Sequence, residues 1–246
     1  MKLDDIRKLQ QKKYRERFGC FVLEGEHAVL ELQKAAQRTP ELLQSDLYVT
    51  AAYEHWNGPL RTHVLSERQF ALLADTATPQ GILAVVPIAA VQAATGSIAG
   101  SDKAIYLQEV QDPGNLGTIL RTLAWFGGFR LLLSPGSVDP FNPKVVRASL
   151  GALFHVPLEL EVSADSLPMR YARIAALDLL GESTRSAMFS THDCYVFGNE
   201  ARGLAPKLLA ELQAARYSIP GSGALESLNL ATAVNICAYE LALRIP

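Results

Sequence analysis

Short apolar runs alternate with helical stripes along most of this chain. In the first third, Cys20 to Glu24 and Ile82 to Pro87 read as strands, as do Leu47 to Thr50 and His63 to Leu65. Residues 4–17 read as one polar, basic helix, Glu26 to Ala36 as a second and Glu67 to Leu73 as a third. Together these predict a small α/β unit. The stretch Ala93 to Ser101 holds small and polar residues, with Ile98 its one large apolar side chain, and reads as a flexible linker. The expected division is therefore a first domain over 1–92, a linker over 93–102 and a second domain over 103–246.

Beyond the linker, strands are predicted at Ala104 to Val110, Phe129 to Leu133, His155 to Leu160, Ile174 to Leu179, Tyr195 to Gly198 and Tyr217 to Ile219. Helical patterns fall between several of them, which predicts a mostly parallel sheet covered on both faces. In the last segment Leu230, Val234, Cys237 and Leu241 form one helical stripe that must pack against core or a partner.

Composition narrows the functional classes. The chain has 246 residues, 49% of them hydrophobic and 20% charged, which is ordinary for a folded globular protein. A formal net charge of −2 argues against coating nucleic acid through bulk charge, so any RNA contact must be local. One local excess exists: Arg7, Lys8, Lys12, Lys13, Arg15 and Arg17 face only Glu16 between residues 7 and 17. It is either a solvated helix face or a phosphate-contact surface. Cys20, Cys194 and Cys237 are far apart and odd in number, which fits a reducing cytoplasm rather than a disulfide framework. The five histidines are scattered without ligand spacing, and no metal is expected. Ile82 to Ala94 is too short to span a membrane and is interrupted by Pro87 and Gln92, while residues 1–20 are charged and lack a secretory core.

Three polar elements stand where predicted strands give way to loops or helices, the place where α/β folds put their sites. In the first, the strand runs into Gln111-Asp112-Pro113-Gly114-Asn115, and Asn115 is a good helix N-cap with Gly127-Gly128 as the stop. Leu116, Ile119, Leu120 and Leu123 make the buried face of that helix, while Gly117 and Arg121 share another, where a small residue leaves ligand space beside a guanidinium suited to phosphate. The second element is Gly198-Asn199-Glu200-Ala201-Arg202-Gly203-Leu204, with Pro206 opening a helix. The third is a glycine-rich loop from Ile219 that delivers Glu226-Ser227-Leu228-Asn229 to the start of the last helix. Taken singly, each has a plainer reading as a cap, a turn or a surface ion pair. Neither the dinucleotide-binding glycine triplet, nor the phosphate-binding loop ending in Gly-Lys-Ser/Thr, nor a Gly-x-Ser-x-Gly elbow is found.

The ordered combination of Asp112-Pro113-Gly114-Asn115-Leu116-Gly117 with Arg121, Gly198-Asn199-Glu200 with Gly203-Leu204, and Glu226-Ser227-Leu228-Asn229 resembles the three motifs of the SpoU/TrmH-type RNA ribose 2′-O-methyltransferases. The likeness extends through Asn142 to Ala152, and Arg7 to Arg17, Phe21 to Gly25 and Thr78 to Gly81 resemble the accessory domain of the subgroup acting on ribosomal RNA. It implies a C-terminal domain threaded as a trefoil knot, an exception to the rule that chains avoid knots. It also implies a homodimer and S-adenosylmethionine held mainly by backbone groups at Gly198, Ile219 and Leu228. Arg121, Asn115, Glu200, Ser227 and Asn229 match the catalytic positions, and Arg7, Lys12, Lys13, Arg15 and Arg147 are expected to bind RNA, with no membrane or DNA partner. The arginine matching Arg121 is proposed in relatives as general base. A reference pKa of roughly 12.5 to 13.8 leaves neutral guanidine scarce, so a phosphate clamp that stabilises the developing alkoxide is preferred. Ala201 replaces a frequent glycine, and Gly221-Ser222 a methionine-containing run. The competing readings are a transfer-RNA methyltransferase of the same superfamily and a ribosome-assembly protein that binds RNA without turnover.

Overall fold

The structure, a computed structural model, describes residues 1–96 and 103–243. Two compact units emerge: residues 1–96 together with Asp139–His155, and residues 103–138 together with 156–243. The chain begins with α1 (Leu3–Lys8), α2 (Lys12–Phe18), β1 (Cys20–Glu24), α3 (Glu26–Ala36), β2 (Asp46–Val49), β3 (Arg61–Val64), α4 (Glu67–Ala71), β4 (Ile82–Pro87) and α5 (Ile88–Gly96). It continues with β5 (Lys103–Leu107), α6 (Pro113–Phe126), β6 (Phe129–Leu133), α7 (Pro143–Ser149), β7 (Leu158–Glu159) and α8 (Leu167–Arg170). The last elements are β8 (Ile174–Ser183), β9 (Cys194–Phe197), α9 (Pro206–Glu211), β10 (Ala215–Ser218) and α10 (Leu230–Ala242).

In the first unit the strands lie in the order β1-β4-β2-β3. β4 is antiparallel to both neighbours, and β2 is parallel to β3. The unbroken apolar run of β4 follows from its central place: Leu83 and Val85 pack with Ile6, Leu9, Tyr48, Phe70 and Leu73, while the alternate Ile82, Ala84 and Val86 are buried on the opposite face. A capping box starts α4, with Ser66 and Gln69 each holding the other's backbone N–H.

The single basic helix expected over 4–17 is broken into α1 and α2 at Leu9 to Gln11. The break frees the Leu9 carbonyl, which accepts from Arg15 Nη1 at 2.7 Å, while Arg15 Nη2 and Nε both reach Asp139 Oδ2, at 2.6 and 2.9 Å. Arg15 is only 3% exposed. This corrects its assignment as an RNA contact, because its donors are committed inside the unit. Ala93 to Gly96, expected in a linker, form the end of α5, in keeping with alanine's helix preference; residues 97–102 lie outside the described residues. Phe141 packs on Phe21 at a centroid distance of 5.1 Å, and Arg147 pairs with Asp75 at 2.5 Å. These contacts group Asp139–His155 with the first unit, although it falls within the second domain expected from sequence.

The second unit carries a six-stranded sheet in the order β10-β8-β9-β5-β6-β7, parallel at every pairing. β5, β6 and β9 are buried almost throughout, as expected of strands covered on both faces. Parallel pairing places all strand C-termini at one edge. The predicted stripe of α10 is buried, and α10 packs on α6, where Thr122 Oγ1 donates to Asn235 Oδ1 at 2.6 Å. β8 outruns its predicted end because β10 pairs with it twice, at Ala175 and Ala176 and again at Glu182 and Ser183.

Arg15→Ala leaves Asp139 and the Leu9 carbonyl without their partner. We expect a loss of about 3 kcal/mol in urea unfolding, the range for breaking a buried pair from one side. An unchanged midpoint would mean that the pair carries no stability.

Candidate active site

The site is built at the C-terminal edge of the parallel sheet. After β5 the backbone enters the left-handed region at Glu109, φ 50°, where the Glu109 N–H donates to Ser134 Oγ at 2.7 Å. Asp112 then caps α6, its Oδ1 accepting from the N–H groups of Gly114 at 2.6 Å and Asn115 at 3.3 Å. The sequence pointed to Asn115 as the cap. The Asp-Pro pair decides otherwise, because Pro113 suits the first helical position, where its missing N–H is no loss. Asn115 is thereby displaced into the first turn, with its side chain buried and free for other work.

The loop after β9 folds back sharply. A Cβ at Gly198 would sit 2.3 Å from the carbonyl carbon of Gly203, so only glycine fits. Asn199 and Gly203 exchange backbone hydrogen bonds of 3.2 and 2.9 Å, and Gly203 adopts φ 64°. The Asn199 side chain stiffens the turn: Oδ1 accepts from the N–H groups of Ala201 and Arg202, and Nδ2 donates to the Glu109 carbonyl at 2.8 Å. Glu200 then reaches across to the start of α6. Its carboxylate accepts from the N–H of Gln111 at 3.3 Å, the N–H of Asp112 at 3.2 Å and Asn115 Nδ2 at 3.3 Å. Asn115 Oδ1 in turn accepts from Asn229 Nδ2 at 2.9 Å, while Asn229 Oδ1 caps α10 through the Thr232 N–H. One hydrogen-bonded path, Glu200 to Asn115 to Asn229, thus joins all three polar motifs.

Other expected residues stand apart from this path. Arg121 is exposed on α6, six residues and about 9 Å of helix axis beyond Asn115. It has no hydrogen bond or ion pair among the described residues. Ser227 is exposed and also unpartnered there. Gly117 is buried, which corrects the expectation of open ligand space beside Arg121. Ile219 and Leu228 lie on a loop whose residues 221–229 are all exposed, and among the described residues the main-chain N–H and C=O of both have no partner. Free donors and acceptors of this kind suit a ligand gripped by backbone. In the first unit Arg7, Lys12 and Lys13 are exposed, Lys12 lying 3.8 Å from Glu16. Arg147 is held by Asp75 with its side chain 32% exposed.

Sequence reasoning missed Asp112, Asn199, Glu109 and Gln111 as the residues that shape the site. The Asp-Pro pair was a readable signal for the first. The others act through contacts distant in sequence: Glu109 pairs with Arg202, and Gln111 Nε2 donates to the Gly136 carbonyl at 2.7 Å. Burial pushes the Cys194 thiol up to about 12 and raises that of Cys237 as well, so both stay protonated thiols. Among the described residues no cluster of His, Cys, Asp or Glu could hold a metal ion, and no helix is long and apolar enough to cross a membrane.

Known proteins resemble this chain over nearly its whole length. The model of the SpoU rRNA Methylase family matches residues 102–239, and that of the MRM3-like substrate binding domain matches residues 1–84. The 23S rRNA (guanosine(2553)-2′-O)-methyltransferase RlmP of Bacillus subtilis is 33% identical over 98% of this chain and 95% of that protein. Among solved structures, an AdoMet-bound rRNA methyltransferase from Sinorhizobium meliloti superposes with a TM-score of 0.77 at 26% identity, covering 99% of this chain and 95% of that one. A TrmH-family protein from Porphyromonas gingivalis gives a TM-score of 0.79 at 32% identity, with coverage of 99% and 97%. The chain belongs to the SpoU rRNA methylase family.

Proposed function

We propose that this protein transfers a methyl group from S-adenosylmethionine to a ribose 2′-hydroxyl of RNA, with large-subunit, 23S-type ribosomal RNA as its substrate. The path from Glu200 through Asn115 to Asn229 carries this reading, because it locks the three motifs of a methyltransferase family into one constellation. The B. subtilis relative named for 23S rRNA and the AdoMet-bound S. meliloti structure support the substrate and the cofactor.

Gly198, Ile219 and Leu228 hold S-adenosylmethionine through their main chain, and the bound cofactor supplies an electrophilic methyl on a sulfonium. Arg121 clamps the phosphate beside the target ribose and offsets negative charge as O2′ loses its proton. Glu200 acts by position: three donors fix its carboxylate, and it fixes the entry to α6 on which Arg121 rides. Ser227 and Asn229 orient the cofactor loop and the ribose, Asn229 from its cap on α10. Much of the acceleration would then come from holding the target ribose in one fixed position. Arg7, Lys12, Lys13 and Arg147 contact RNA phosphates, which positions the substrate without specifying sequence. A nucleotide splayed out of an RNA loop suits such a site, since its ribose is accessible.

We further propose that the protein is a cytoplasmic homodimer whose C-terminal unit, entered near residue 103, is threaded as a trefoil knot. Trp125, 84% exposed, and Tyr239, 52% exposed, give the surface of α6 and α10 aromatic area for a second copy.

The defining experiment incubates the protein with methyl-labelled S-adenosylmethionine and unmodified ribosomal or transfer RNA, then maps the label by nuclease digestion. Label at a 2′-O of large-subunit RNA is expected; label confined to transfer RNA, or binding without transfer to RNA or ribosome precursors, would overturn the assignment. Arg121→Ala should lower kcat by roughly 100-fold or more with cofactor affinity retained, the scale for removing a group that stabilises developing charge. Glu200→Gln should lower kcat less, because an amide still accepts at one oxygen but presents N–H against donors. Single-turnover rates check both. RNA affinity should fall steeply with salt, by roughly 0.7 in log K per log unit of salt for each phosphate contacted on a single strand. Cofactor affinity, measured by calorimetry over the same range, should change little.

A further inference from the structure

We propose that α2 carries a stacking platform for unpaired RNA, with Tyr14 as its contact surface and Lys13 and Arg17 as its phosphate-reaching rim. The inference rests on RNA being the substrate and names the part of it that this helix recognises.

Tyr14 and Phe18 lie one turn apart on α2 with nearly parallel rings, 6.2 Å between centroids and 15° between planes. Phe18 packs against the core of the first unit and anchors the pair. Tyr14 is half-exposed, and its hydroxyl has no partner among the described residues, so no hydrogen bond accounts for the exposed part of the ring. Cations gather over these rings. Lys13 Nζ sits 4.8 Å and Lys8 Nζ 5.8 Å from the Tyr14 centroid, and the Arg17 guanidinium lies 5.5 Å from that of Phe18. A cation over an aromatic ring can give way to a planar base and turn to the phosphate beside it.

Charge selects the occupant. Residues 2–17 hold seven basic side chains against three acidic ones, in a chain whose formal net charge is −2. One of the seven, Arg15, is withdrawn into the unit by Asp139, and Lys8 and Lys12 are within reach of Asp5 and Glu16. That leaves Lys2, Arg7, Lys13 and Arg17 as exposed cations without an ion pair among the described residues. A polyanion that also offers planar, apolar faces matches aromatic rings inside a cationic rim, and single-stranded RNA has both properties. A duplex keeps its bases stacked inward and offers only the phosphates.

The test measures binding of the full chain, without S-adenosylmethionine, to a dye-labelled oligouridylate and to an RNA duplex of equal length. Tyr14→Leu keeps the apolar bulk and removes the ring. It should weaken single-strand binding on the order of tenfold, from the value of one stacked base, with duplex affinity and the salt slope unchanged. Tyr14→Phe should bind like the parent. Lys13→Gln should weaken both ligands and flatten the salt dependence. Equal effects of Tyr14→Leu on strand and duplex, or none on either, overturn the platform; thermal unfolding of each variant separates either result from misfolding. A protein that binds the strand through Tyr14 yet methylates no RNA would instead overturn the reading of its catalytic function.

Discussion

After β5 the chain turns outward through Gln111 and Asp112, and the acceptor for their N–H groups is a side chain almost ninety positions further along, Gln111 being 89 residues from it. Glu200 takes the N–H groups of Gln111 and Asp112 while also holding the Asn115 amide. The same carboxylate that satisfies the entry to α6 thereby fixes the direction in which that helix starts. Since Asn115 passes the connection on to Asn229, the start of α10 is tied to the start of α6. The two helices then pack along their length, with Thr122 on Asn235 and Phe126 beside Tyr239. Arg121 inherits its position from this arrangement although it makes none of its contacts.

The parallel sheet makes such a junction available. With every strand running the same way, the ends of β5, β9 and β10 open onto one edge, so motifs far apart in sequence can meet there without long connections. The local devices divide the labour. Asp112 satisfies the first turn of α6, Asn199 closes the turn after β9, and Asn229 caps α10. Each is a short polar side chain serving backbone groups, whereas Arg121, Glu226 and Ser227 are exposed polar motif residues whose side chains make no hydrogen bond or ion pair among the described residues.

Much of this was legible in the sequence, for reasons that differ by element. Cys20 to Glu24, Glu26 to Ala36, Ile82 to Pro87 and Phe129 to Leu133 lie where periodicity put them, because their apolar patterns are strong and their ends are marked by glycine, proline or a change of period. The three polar motifs were visible as ordered strings, and their resemblance to a family supplied the connection. The break between α1 and α2 was not legible: neither glycine nor proline marks it, and what stabilises it is an arginine held by Asp139, 124 residues away. The same distance hid the burial of Arg15, which local composition presented as one more cation in a basic run. The cap of α6 was misread for a more local reason, since Asp112 and Asn115 are both good caps and only the proline at 113 separates them.

Gly198 has the widest reach for its size. With the Gly203 carbonyl occupying the space where a side chain would begin, the position admits no alternative residue without moving the loop. Ala201 is under no such restraint, being exposed and contributing its N–H to the turn, while Arg202 adds its N–H and an ion pair to Glu109. The loop's path is therefore set by Gly198 and the Asn199 side chain, and sequence drift at 201 can retune the surface offered to a ligand while the trajectory that aims Glu200 is preserved.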